Sequence, residues 1–250
     1  MSLYLAAALL PLVPAVASIA ATIGDGAWSG VTGPLVRAVT PDALLYSAAC
    51  VVVAAPLAGV AVAAGQPPRT LDRGRQPAMD TVRRLTIATL VFCAVSASLT
   101  VARLGLDADT LRFVAASHAV LASATVALSA LGALFGTVFR DPLDAAAVSV
   151  TVALAAAYGV LVAGAPVGEL PPPMLKAALL ASPVMTVATA AHVDLVRTDI
   201  WYQISPLAHI RLEYPAWSTV CGSYLLAGCA GFFATSWCRK PEALTGEGRQ

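Results

Sequence analysis

The chain alternates between long apolar runs and short polar breaks. Six runs are long: Leu3 to Ile23, Ala43 to Ala64, Leu85 to Val101, Phe113 to Phe139, Ala145 to Ala165 and Ala216 to Trp237. A bilayer core is crossed by about 20 apolar residues in helix, with a lower limit near 17. The pattern therefore predicts six membrane-spanning helices. Pro11 and Pro14 kink the first, which a membrane helix tolerates when neighbours satisfy the released carbonyls. No basic residue precedes that run, so it reads as a retained span rather than a secretory signal. Gly24 to Pro41 reads as a Gly/Pro-rich loop, Arg103 to Arg112 as a short connection, and Arg140 to Asp144 as a tight polar break.

The segment from Pro166 to Pro215 differs. Pro171, Pro172 and Pro173 open it, and an apolar stretch from Met174 to Ala191 follows, interrupted by Lys176 and Pro183. At 1.5 Å per residue that stretch reaches roughly 27 Å, marginal against a core of about 30 Å. It is predicted to re-enter the membrane rather than cross it, with Ser205-Pro206 breaking a second arm. The expected fold is all-α: a polytopic integral membrane protein of six transmembrane helices plus an extracytoplasmic re-entrant helical hairpin. Residues 1–240 form one transmembrane domain and 241–250 a polar cytoplasmic tail.

Composition narrows the class. Of 250 residues 58% are hydrophobic and 12% charged, where an ordinary soluble domain carries roughly 25% charged. Mean hydropathy is +0.79. Such a chain cannot clothe a soluble fold. Its net charge of +1 offers no basic excess for nucleic-acid phosphates. The five cysteines lie in or just after apolar runs and form no CxxC or Cys/His cluster, so they read as small packing residues rather than a disulfide framework.

Charge also orients the chain. With the N-terminus in the cytoplasm, the inner segments hold nine basic and six acidic residues, a net of +3. The outer segments hold six basic and eight acidic, a net of −2. This follows the positive-inside rule and places both termini in the cytoplasm of a plasma or inner membrane. Trp201, Tyr202, Tyr214 and Trp217 gather just before the last span, at the headgroup level aromatic rings prefer.

No Walker A, GxSxG or HExxH motif is present. The third and fifth runs carry no charged residue, whereas a proton- or sodium-coupled carrier places ionisable groups in mid-membrane. His118 in the fourth run is either a neutral, hydrogen-bonded histidine or a functional group. His192, Asp194 and His209 are the only candidates for a metal, and positions two apart do not share a helix face. Gly132 and Gly136 make a GxxxG pair suited to close packing, within one subunit or at a dimer seam.

The order of motifs resembles the membrane subunit of a type-2 ABC exporter. Arg69-Thr70-Leu71-Asp72-Arg73-Gly74, with Arg83-Arg84 leading into the third run, resembles that family's first cytoplasmic loop. The small-residue stretch from Gly132 to Phe139, ending at Arg140, resembles its second turn. Leu179 to Pro183 and Ser205 to His209 resemble its outer Ser-Pro turns. The resemblance covers residues 3 to 239 but offers no counterpart of the family's basic helix ahead of the first span.

The resemblance implies a permease that performs no chemistry and binds no cofactor itself. ATP-Mg belongs to a separate ABC ATPase subunit, and a second permease copy or a homologous permease completes the pair. Arg73, Arg83, Arg84, Arg140 and Asp141 would couple to the ATPase. Pro183, Ser205, Pro206 and His209 would belong to the outer re-entrant segment. The basic loop also reads simply as a cytoplasmic anchor. The alternative function is a membrane scaffold subunit of an enzyme complex.

Overall fold

The computed structural model describes residues 32–64, 87, 94, 108–162, 171–190 and 214–238. Among these all regular structure is helical. We number the helices α1 Thr32–Ala64, α2 Ala108–Val138, α3 Pro142–Val162, α4 Pro172–Ala181, α5 Pro183–Ala190 and α6 Trp217–Cys238. Four of them contain segments long and apolar enough to cross a membrane: Ser47–Ala64, Leu111–Val138, Pro142–Val160 and Trp217–Cys238. They mark a membrane-embedded protein. The expected spans Leu3 to Ile23 and Leu85 to Val101 lie outside the described residues, apart from helical Ile87 and Ala94.

Several boundaries differ from the sequence expectation. Helix α1 begins at Thr32, inside the stretch expected to be a loop, although its membrane-length apolar segment is Ser47–Ala64. Pro34 falls in the first turn, where no N–H partner is needed. Pro41 removes the bond to the Arg37 carbonyl and its ring crowds that carbonyl, yet the helix continues through it, as membrane helices tolerate. Helix α2 begins at Ala108 rather than Phe113, with Asp109 in its first turn at the positive end of the helix dipole. The polar break shrinks to Phe139, Arg140 and Asp141, because Pro142 opens α3 and Asp141 Oδ1 accepts from Leu143 N at 2.8 Å.

In a bilayer, helices gain little by leaving lipid, so close backbone approach has to supply the attraction. α1, α2 and α6 achieve it with glycine. A Cβ on Gly132 would stand 2.0 Å from the Pro56 carbonyl oxygen, and one on Gly59 would stand 2.0 Å from the Ser129 carbonyl oxygen. The glycine hydrogens instead point at those oxygens, giving reciprocal Cα–H···O contacts. Gly136 meets Val60 and Ala63 in the same seam. The GxxxG pair thus packs within the chain. On a neighbouring face of α2, Gly228 abuts Val126 and Ala127, and Gly231 abuts Ala130.

These contacts also fix direction. Residue numbers rise together from Pro56–Gly132 to Ala63–Gly136, and from Gly228–Val126 to Gly231–Ala130. α1, α2 and α6 therefore run parallel. α3 turns back after the three-residue break, which brings Tyr158 near its end within electrostatic reach of Cys50 in the first half of the α1 span. Two consequences follow. Ala64 and Ala108 lie at opposite ends of the bundle. Val162 and Trp217 lie at the same end.

The core gathers where these helices meet α5. Leu121, Val51, Val52, Val187, Met185 and Val220 are all essentially without solvent contact. The outward faces stay apolar: Leu226 is 74% and Phe233 66% exposed on α6, and Leu143 is 77% exposed on α3, as lipid-facing positions require.

Candidate functional site

The stretch expected to re-enter the membrane is two helices, not one. α4 and α5 meet at an angle of 89°. The sequence dictates the break. A residue before proline is driven out of the helical region, and Ser182 ahead of Pro183 adopts φ −90° and ψ 106°. Pro172 and Pro173 fill the first two positions of α4, where their missing N–H groups cost nothing. The Ser182 N–H closes α4 on the Leu179 carbonyl at 3.2 Å, and the Ser182 carbonyl accepts the first α5 bond, from Thr186 N at 3.1 Å.

The Ser182 side chain is fully buried and works in two directions. Its hydroxyl donates to the Ala157 carbonyl of α3 and accepts from Met185 N at 3.3 Å, capping α5. Thr186 shares its hydroxyl proton between the Ser182 and Pro183 carbonyls, at 3.0 and 3.1 Å. Tyr224 of α6 brings its phenol beside Thr186. Polar atoms from α3, the elbow, α5 and α6 thus converge inside an apolar bundle, where every backbone group left without a partner is expensive.

Depth follows from the α3 contact. Ala157 lies five residues before Val162, so the elbow sits about 7.5 Å inside that end of the helix. The ten residues of α4 are about 15 Å long, and with α5 they have the form of either a broken span or a re-entrant segment. In α5 every residue from Pro183 to Ala188 is buried. Lys176 is exposed on α4.

Of the sequence-chosen site residues, Pro183 is at this elbow, buried. Arg140 and Asp141 sit together, exposed, at the opposite end of α3. The structure does not bring these two places into contact. Arg73, Arg83, Arg84, Ser205, Pro206 and His209 lie outside the described residues, as do His192 and Asp194. His118 is buried, and its Nδ1 lies 2.8 Å from the Val114 carbonyl one turn earlier, so that nitrogen carries the proton. Among the described residues no three His, Cys, Asp or Glu side chains gather as metal ligands. Cys50 and Cys221 are half-buried unpaired thiols.

Sequence reading did not single out Thr186, Tyr224 or Ala157. Ser182 was visible only as half of a Ser-Pro pair. The signal for its role was a hydroxyl ahead of a proline inside an apolar run. Nothing in the sequence marks the Ala157 carbonyl, because it is backbone. No family model, curated protein or solved structure matches the chain.

Proposed function

We propose that the protein is the permease subunit of an ATP-binding-cassette exporter, forming a route through the membrane that a separate ATPase subunit drives. The observation that carries this reading is the buried elbow ahead of the last span. It supports a re-entrant segment, since Val162 and Trp217 lie at one end of the bundle while α4 and α5 turn through 89° between them. The opposite placement of Ala64 and Ala108 is what one further crossing between α1 and α2 requires. Together with a first span at Leu3 to Ile23, this is the six-span arrangement.

Charge placement supports a pump powered from outside the membrane. Ser47 to Ala64, Phe113 to Val138, Ala145 to Val160 and α6 contain no Asp, Glu, Lys or Arg. A carrier driven by protons or sodium would use such groups. The exposed Arg140-Asp141 turn, with Arg73, Arg83 and Arg84 from the basic loop, is the docking face for the ATPase on the cytoplasmic side. The re-entrant segment, with Pro183, Ser205, Pro206 and His209, closes the outer end of the route. A second permease copy or a homologous permease completes the pair across the apolar faces.

Affinity purification in mild detergent tests this. A chain carrying a Walker A motif is expected to copurify with the intact protein and to be lost when Arg83 and Arg84 are both replaced by Glu. Copurification of redox or biosynthetic subunits without any such ATPase would contradict the exporter and favour a scaffold subunit.

A further inference from the structure

One hydroxyl at the elbow touches two helices that are otherwise held differently. α5 is seated among α1, α2, α3 and α6, with Pro183 to Ala188 buried. α3 is only partly enclosed, with Val152 and Leu154 exposed on its outer face. Ser182 joins them, donating to Ala157 of α3 and capping α5 through Met185 N. From Leu143 to Ala157 α3 contains no Gly or Pro, so nothing in that stretch introduces a kink. Its other end is the exposed turn, where Asp141 caps the first turn through Leu143 N at 2.8 Å. Pro142 to Ala157 measures about 22 Å.

We propose that α3 acts as a rod between the exposed Phe139–Asp141 turn and the buried plug α5, with the Ser182 hydroxyl as the joint. Displacement of the turn moves α3, and the Ala157 carbonyl carries that displacement to the elbow. Ser182 is then a positioning residue. The idea rests on the membrane-bundle part of the reading above and requires neither the cargo nor the ATPase.

The test uses the full chain in lipid nanodiscs, with its five native cysteines replaced by alanine and a Val184→Cys reporter on α5. Val184 is 4% exposed, so its reaction with a small water-soluble maleimide reports unseating of α5. Labelling rates are compared in the parent, Asp141→Ala, Ser182→Ala and the double variant. Residues this far apart ordinarily act additively, whereas coupled ones deviate by about threefold or more. Asp141→Ala is expected to change the rate by about threefold or more when Ser182 is present and to change nothing in the Ser182→Ala background. Ser182→Thr, which keeps the hydroxyl, should restore the response. The same factor in both backgrounds, or no response in either, would overturn the joint. If Ser182→Ala does not yield a monodisperse chain, a control reporter decides. The Asp141→Ala effect should then appear at Val184→Cys and not at Ala124→Cys, which is buried in α2. Equal effects at both would mean general loosening and would overturn the proposal. Failure of an ATPase to copurify would remove the exporter and leave this result intact.

Discussion

The bundle has two halves held by different chemistry. α1 and α2 touch backbone to backbone through Gly59 and Gly132, while Gly136, Gly228 and Gly231 receive the side chains of Ala63, Val126 and Ala130 across the α1–α2 and α2–α6 contacts. α3, α4 and α5 meet around an elbow whose polar groups belong to Ser182, Thr186 and a backbone carbonyl. In lipid the first kind of contact works by shape, because helices gain nothing from excluding water. The second works by direction, because a hydroxyl has few partners there. A shape seam tolerates no added atom. A hydroxyl joint tolerates change of volume but not loss of its proton. The seam is therefore where an added methyl group does most damage, and the elbow is where the loss of one hydroxyl removes a tie between helices.

The sharpest way to break the comparison is to add one methyl group to the seam. Gly132→Ala would place a Cβ where the Pro56 carbonyl oxygen stands 2.0 Å away, so the helices must separate. Overpacking of this kind costs about 1–3 kcal/mol, occasionally more, and here the obstacle is backbone that cannot rotate aside. Thermal unfolding in detergent should show a large drop. Gly159→Ala and Gly222→Ala, which meet nothing within 4 Å, should leave the midpoint unchanged or raise it slightly, since alanine favours helix. Equal losses at Gly132 and Gly222 would contradict the seam.

A hydroxyl deletion at the elbow should matter less. Ser182→Ala loses the tie to Ala157 and the cap on α5, and the expected cost is about 1–2 kcal/mol by the same measurement. Asp141→Ala should cost less again, about 0.5 kcal/mol, because its cap on Leu143 N is exposed and water can replace it. If Asp141→Ala proved costlier than Ser182→Ala, the assignment of the buried tie would be wrong.

Much of this was readable in the sequence, and the parts that were not share a cause. Run length located α2, α3 and α6 to within a few residues, because spanning a bilayer is a length requirement. The start of α1 was missed by about ten residues, because Pro34 and Pro41 weigh as loop signals although Pro34 falls in the first turn and the helix runs on through Pro41. The GxxxG pair announced a close contact at Gly132 and Gly136. It could not name Pro56 and Gly59 as the opposing face, since spacing along one helix says nothing of the helix it meets. At the elbow, Pro183 announced a break, while the partners of Ser182 depend on where α3 passes. The charge-based coupling residues Arg73, Arg83 and Arg84 remain a reading of sequence alone.

The most direct measurement is the sidedness of the two ends of α3 and α6. In a chain stripped of its other cysteines, an Arg140→Cys reporter and the native Cys238 are labelled one at a time with a membrane-impermeant maleimide in oriented vesicles. If Val162 and Trp217 share one end of the bundle and α4 and α5 turn back between them, both thiols should react from the same face. A thiol introduced at Asp109 should react from the other. Labelling of positions 140 and 238 from opposite faces would mean that the segment between α3 and α6 crosses the membrane, and the re-entrant elbow would fall.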